Sequence, residues 1–250
     1  MQLAHHTSRF SVCIPTFNGA HFIKEQLLSV IALLGEHDEV IVLDDCSSDN
    51  TLEILNSIEF PRLVVLQNDK NCGLLSSIER LIELSRGSYI ILADQDDIWL
   101  PNRISAVLDL LECGVDFVVT DAVVVNSERE VIADSYFKKV RISNSFIKNF
   151  YKCGILGCCI AFNRKLVSTA LPFPKNQLIP HDLWLYLIAK ITHSKIVINQ
   201  QKCILYRRHT SSVTSAGFRS NRSFSKKLWA RFILAKYLMQ RVIQLWISSY

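Results

Sequence analysis

The apolar and polar positions of the first 115 residues alternate between two periods. Short runs rich in β-formers, at residues 10–14, 39–43, 63–67 and 89–92, predict buried strands. After the first run, Phe22, Ile23, Leu27, Leu28, Ile31 and Leu34 recur at helical spacing, and residues 74–85 form a second helical stretch. Beyond the fourth run, Pro101 pre-sets the first turn of a helix carrying Ile104, Val107, Leu108 and Leu111. Strands alternating with helices of about 10–15 residues imply βαβ units and a parallel sheet. The strand ends run into polar loops, at residues 15–19, 44–51, 68–73 and 94–97. On one sheet edge such loops converge on a single nucleotide-sized site.

The pattern after residue 115 is less regular. Residues 116–135 predict two strands around a turn at Asn126, Ser127, Glu128 and Arg129. Residues 153–162 hold two glycines, Gly154 and Gly157, where the backbone can approach a ligand; a bulged strand is the plainer structural reading. At residues 179–186 a proline, the polar pair His181 and Asp182, and an apolar run mark a helix start, for which capping alone is a sufficient reason. Residues 195–199 and 203–208 predict a closing hairpin, and residues 223–250 a long helix. That helix carries Leu228, Trp229, Phe232, Ile233, Leu238, Val242, Leu245 and Trp246, punctuated by Lys227, Arg231, Lys236 and Arg241.

Composition changes this picture in two respects. The formal net charge of +5 conceals an acidic body with a basic tail: no Asp or Glu follows Asp182, whereas Lys and Arg occur there 12 times. The first 182 residues therefore hold 16 basic and 23 acidic groups, a net of −7, and the tail is suited to anions. The eight cysteines form no pair of CxxC units, so a zinc site is not expected, and reduced, mostly buried thiols in a cytoplasmic protein are the economical reading. The first ten residues lack the apolar core of a signal peptide, and no run reaches the ~18 apolar residues that span a bilayer.

The sharpest chemical signal is Asp94-Gln95-Asp96-Asp97 at the end of the fourth strand. Three carboxylates in four positions repel one another unless a cation or hydrogen-bond donors lie close. Hard oxygen ligands of this kind suit Mg²⁺ or Mn²⁺, with substrate phosphates completing the shell. An acidic helix start favoured by the macrodipole is the simpler alternative. No G-x-G-x-x-G follows the first strand, which disfavours a dehydrogenase. The basic residues belong to no nucleic-acid motif, so no nucleic-acid partner is expected.

Three motifs in order resemble glycosyltransferase family 2. They are Ser11-Val12-Cys13-Ile14-Pro15-Thr16-Phe17-Asn18, then Val40-Ile41-Val42-Leu43-Asp44-Asp45-Cys46-Ser47-Ser48-Asp49-Asn50-Thr51, then Asp94-Gln95-Asp96-Asp97-Ile98-Trp99. The resemblance covers roughly residues 10–210. It implies an α/β GT-A fold, with a Rossmann-like, mostly parallel central sheet flanked by helices and a C-terminal basic amphipathic helix. The implied division is a transferase domain over 1–215, with a nucleotide-binding half near 10–115 and an acceptor-binding half near 116–215, and a tail over 216–250. Cys46 stands where the family usually has glycine; because it bears a Cβ, the expectation is a turn with negative φ there.

The resemblance also implies roles. Pro15, Thr16 and Phe17 would line a pyrimidine base and Asp44 would accept its ring N–H, with Asn18 and Asp45 counted in the same nucleotide-sugar site. Asp94 would face the ribose, Asp96 would bind the metal, and Asp97 is the fallback ligand. Gly157 would lie under the donor sugar, and Asp182 would be the general base, with His181 positioning substrate. His-Asp in place of the frequent Glu-Asp is similar to the rhamnosyltransferase-like branch. His209 would complete a Mn²⁺ or Mg²⁺ shell and Arg207 or Arg208 would clamp phosphate. Residues 210–222 would be a mobile loop able to close over the donor.

The implied activity is inverting, metal-assisted transfer of a sugar, rhamnose favoured, from a UDP- or dTDP-linked donor to a growing surface glycan or lipid-linked saccharide. The implied location is the cytoplasm, with the basic helix resting on the anionic inner face of the plasma membrane. Packing of that helix on the domain is the alternative. A nucleotidyltransferase would show a Gly-rich basic phosphate loop after the first strand, which residues 15–19 lack. A degenerate, non-catalytic docking module is opposed by the intact acidic set.

Overall fold

The structure is a computed structural model that describes residues 10–209 and 224–248. Its first half builds β1 (Phe10–Thr16), α1 (Ile23–Ile31), β2 (Glu39–Asp44), α2 (Thr51–Asn56), β3 (Leu63–Gln67), α3 (Leu74–Leu84) and β4 (Tyr89–Leu92). There follow β5 (Ile98–Trp99), α4 (Arg103–Glu112), β6 (Phe117–Val125), β7 (Val131–Ala133), α5 (Tyr136–Val140), α6 (Phe146–Tyr151) and β8 (Ile160–Asn163). The last elements are α7 (Val167–Ala170), α8 (His181–Ile191), β9 (Ile196–Arg207) and α9 (Phe224–Ile247).

Among the described residues, nine strands form one sheet in the order β3-β2-β1-β4-β8-β6-β9-β5, with β7 paired to β6. The first four strands are parallel, and every residue of β1 and β2 is buried. Burial on both faces is why these strands read as continuous apolar runs. Beyond β4 the sheet becomes mixed: β8 is antiparallel to β4 and β6, while β9 runs parallel to β6. The register aligns Thr16 with Asp44 and Asp44 with Gln67, so the carboxyl ends of β1, β2 and β3 form one edge.

Two expectations are corrected. The hairpin over residues 195–208 is a single strand, β9, whose partner along its whole length is β6. The polar residues Gln200 and Gln201, which suggested a turn, fall where the register slips between Thr120 and Asp121. They are a bulge, which sequence alone does not distinguish from a turn. Cys46 has φ +64°, not a negative φ. A left-handed residue with a Cβ costs about 1–2 kcal/mol, and here neighbouring hydrogen bonds to Asp44 hold the turn.

The loop expected over residues 210–222 lies outside the described residues. Among the described residues, no helix is long and apolar enough to cross a membrane. α9 packs on the body through Ala230, Leu234 and Leu238. Arg241, one of the basic residues that punctuate the helix, turns inward. It donates to the carbonyl oxygens of Thr169, Leu171 and Pro172, and its guanidinium lies 5.6 Å from the Trp184 ring centroid.

Candidate active site

The loops after β1, β2 and β4 are fastened to one another by side chains. Gln95 Oε1 accepts from Thr16 Oγ1 at 2.6 Å and from the Phe17 amide at 2.9 Å. Its Nε2 donates to the Phe17 carbonyl at 3.3 Å. Gly19 is required beside it, since a Cβ there would lie 2.4 Å from Gln95 Oε1. Asn18 links β1 to β2: its amide donates to Ser47 Oγ and its Oδ1 accepts from the Ser48 amide, both at 2.8 Å. Pro15 is buried in β1, while Phe17 remains 44% exposed beside the acidic loop.

The two acids that end β2 are both buried, but they serve different loops. Asp44 accepts from the Ser47 amide at 3.0 Å, from Ser47 Oγ, and from Gln67 Nε2 at 3.3 Å. Asp45 turns toward the β3–α3 loop. It accepts from Asn68 Nδ2 at 2.7 Å and from the amides of Cys72 and Gly73 at 2.8 and 2.7 Å. Gly73 can present its amide there because φ is +84°. The structure thus gives Asp45 a bracing role and does not bring it to the other acids.

At the end of β4, ligand atoms of Asp94, Asp97 and Cys158 lie within 4.8 Å of one another. Burial first, then the charges of Asp96 and Asp182, pushes the Asp94 carboxyl up to about 7. Asp97 is driven well above the usual carboxylate range by burial, then by Asp96 and Asp94. One of its oxygens accepts from the Arg207 amide at 3.0 Å, and the other, Oδ2, is buried without a partner. Asp96 Oδ2 lies 2.7 Å from His209 Nε2, so this expected pair is brought together.

Arg207 is buried and committed to the protein. It donates to the Asp96 carbonyl at 2.8 Å, to the Ser127 carbonyl at 3.1 Å and to Glu25 Oε2 at 2.6 Å. Its guanidinium also sits 4.9 Å from the Phe22 ring centroid. The side chain holds the acidic loop from behind rather than reaching into the cleft.

Gly157 opens a 3₁₀ turn, Gly157–Cys159, against the start of α8. A Cβ at Gly157 would lie 2.3 Å from His181 Nε2, so the glycine makes room for that imidazole. His181 Nε2 has no protein partner, and burial lowers the ring to about 4, leaving it neutral at pH 7. Asp182, in the first turn of α8, accepts from the Leu183 amide at 2.6 Å. Burial pushes its carboxyl up to about 6.

The Glycosyl transferase family 2 model matches residues 11–170. The chain belongs to glycosyltransferase family 2. It is 26% identical over 211 residues to the Escherichia coli UDP-Glc:alpha-D-GlcNAc-diphosphoundecaprenol beta-1,3-glucosyltransferase WfgD, covering 84% of this chain and 81% of that one. It is 27% identical over 227 residues to the Shigella flexneri dTDP-rhamnosyl transferase RfbG, covering 85% and 75%. The S. aureus TarS 1-349 crystal structure with UDP-GlcNAc superposes with a TM-score of 0.70 at 20% identity. That match covers 89% of this chain and 65% of the TarS chain, and it shows the shared GT-A fold.

Within this glycosyltransferase, the donor set fits a hard divalent cation. Asp94, Asp96 and Asp97 offer carboxylate oxygens and His209 an imidazole nitrogen, while the buried Asp97 Oδ2 has no hydrogen-bond partner among the described residues. Cys158 is a poor ligand: its hydrogen bond with Cys159 and then burial push the thiol up, so it stays protonated. Three contributors escaped the sequence reading. Gln95 staples the loops, Glu25 holds Arg207, and Arg103 lies fully buried beneath the acids. Arg103 donates to Thr120 Oγ1 at 2.6 Å and to the Cys158 carbonyl at 3.0 Å.

Proposed function

We propose that this glycosyltransferase moves a sugar, with inversion, from a UDP- or dTDP-linked donor to a growing surface glycan or lipid-linked saccharide. The observation that carries the reading is the placement of Asp182. Its half-buried carboxyl, in the first turn of α8, lies within electrostatic reach of Asp94, just past β4, and is raised to about 6, a value suited to a general base near neutral pH. The names of the two bacterial relatives, one using UDP-glucose and one a dTDP-rhamnosyl donor, support a pyrimidine nucleotide. Rhamnose is the favoured sugar, and the E. coli relative's diphosphoundecaprenol-linked acceptor supports a lipid-linked one here.

Phe17, with Pro15, Thr16 and Asn18, forms the wall for the base, and Asp44 exchanges its Ser47 contacts for the ring N–H. Asp94 faces the ribose. Asp45 and Arg207 act on the donor only through the loops they hold. His181, neutral and with an unsatisfied Nε2, meets the donor sugar over Gly157. The acceptor oxygen bonds to the anomeric carbon as the bond to the diphosphate breaks, and Asp182 takes the acceptor proton. Mn²⁺ or Mg²⁺ held by Asp96 and His209, with Asp97 in reserve, would neutralise charge on the departing diphosphate. Residues 10–115 form the nucleotide-binding half and 116–215 the acceptor half of one domain, with 216–250 as a tail. The enzyme works in the cytoplasm, at the inner face of the plasma membrane.

Isothermal titration of UDP and dTDP, each with and without Mn²⁺, tests this on wild type and Asp96→Ala. The expected result is metal-dependent binding of one nucleotide, weakened at least tenfold in the variant. If neither nucleotide binds under any metal condition, the transferase chemistry is overturned and a non-catalytic docking module takes its place.

A further inference from the structure

α9 is apolar on two opposite faces. The face carrying Ala230, Leu234 and Leu238 is buried against the body. On the other side Leu228, Trp229, Phe232, Met239, Ile243 and Trp246 are each 50–67% exposed. At about 100° per residue these six fall within an arc of about 100° centred opposite the buried face. A solvent-facing stripe is ordinarily polar, and an apolar one of this breadth marks an interaction surface.

The surface continues onto α6, where Ile147 and Tyr151 are 68% and 66% exposed. Arg231 of α9 donates to the Tyr151 carbonyl at 3.0 Å, so the two helices adjoin. Lysines accompany the apolar residues: Lys236 on the same arc of α9, Lys148 on α6 and Lys152 at its end are all exposed. The charge of this half is lopsided, since 20 of the 28 Lys and Arg but only 1 of the 23 Asp and Glu follow Asp134.

We propose that α6 and α9 together form a docking face for an anionic lipid bilayer. The aromatic and aliphatic side chains enter the interface and the lysines meet lipid phosphates at its rim. A second copy of the chain fits this face less well, because a two-fold contact sets lysines against lysines, whereas anionic headgroups neutralise them. α6 also packs against α8, whose first turn carries Asp182. This extends the reading above by giving a lipid-linked acceptor a place to enter, but its test does not depend on donor chemistry.

The test is co-flotation of the full chain with vesicles of phosphatidylcholine alone or mixed with phosphatidylglycerol, at low and high salt. Wild type is expected to float with the mixed vesicles at low salt only. Phe232→Ser and Ile147→Ser, one on each helix, should each weaken binding about tenfold, and Lys236→Gln about fivefold. Thermal midpoint and UDP or dTDP titration should match wild type in all three. The proposal is overturned if wild type ignores the mixed vesicles, if Ile147→Ser binds like wild type, or if a stable dimer forms that Phe232→Ser dissociates. Vesicle binding with no nucleotide binding would count against the transferase chemistry and leave the docking face standing.

Discussion

Asp182 and His181 are neighbours whom burial drives in opposite directions. The carboxyl is raised to about 6 and the imidazole lowered to about 4, because in each case burial disfavours the charged form. Only the ionised carboxylate can take the acceptor proton. Activity at saturating Mn²⁺ should therefore rise as pH passes through about 6. His181 is already neutral over that whole range, so the rise belongs to the carboxyls, first Asp182 at about 6 and then Asp94 at about 7. A pH profile of kcat/KM checks this, and Asp182→Asn should lose about 10²–10⁴-fold while keeping nucleotide affinity. A flat profile between pH 5 and 8 would remove Asp182 from the role. At this scale the acids were legible because acidic clusters are rare in apolar surroundings. Gln95 and Arg103 were not, since their partners lie tens of residues away and an arginine at a helix start ordinarily faces water.

The elements that matter most are three loops behaving as one. Gln95 is the fastener between the β1 and β4 ends, and Thr16, 2% exposed, has its hydroxyl bonded to Gln95. Gln95→Ala leaves that hydroxyl and the Phe17 amide to find new partners, which should cost about 1–3 kcal/mol in denaturant unfolding. Because the wall proposed for the base is released while Asp182 is untouched, KM for the donor should rise more than kcat falls. Equal loss in both, or neither, would show that the fastener does not position the donor. The strands β1 and β2 could be read from the sequence because burial on both faces leaves an unbroken apolar run, and the half-exposed β3 because its four apolar residues are β-formers or leucine. Neither α5 nor α6 was foreseen: with five and six residues they are too short for a helical period to declare itself. The β9 bulge looked like a turn because both present polar residues between two apolar runs.

Across the whole molecule, the sheet carries the acids on one edge and α9 straps the opposite-charged half together. The strap is anchored by Arg241, whose three carbonyl acceptors lie in and just after α7 and whose guanidinium covers Trp184 of α8. Helix ends leave carbonyls that need donors, and this arginine supplies them where the chain turns between α7 and α8. Replacing it removes bonds from a charged donor and strands those carbonyls against an apolar helix. Arg241→Met, which keeps the apolar stem, should therefore destabilise the fold by about 2–3 kcal/mol, read as a lower urea midpoint. Hydrogen exchange should quicken along α9 before it does in β1 and β2, whose strands are wholly buried. UDP or dTDP affinity should hardly change, because the loops proposed to hold the nucleotide depend on Gln95, Asp45 and Arg207 rather than on α9. A variant that lost nucleotide binding in step with stability would instead mean that the strap and the cleft form one cooperative unit.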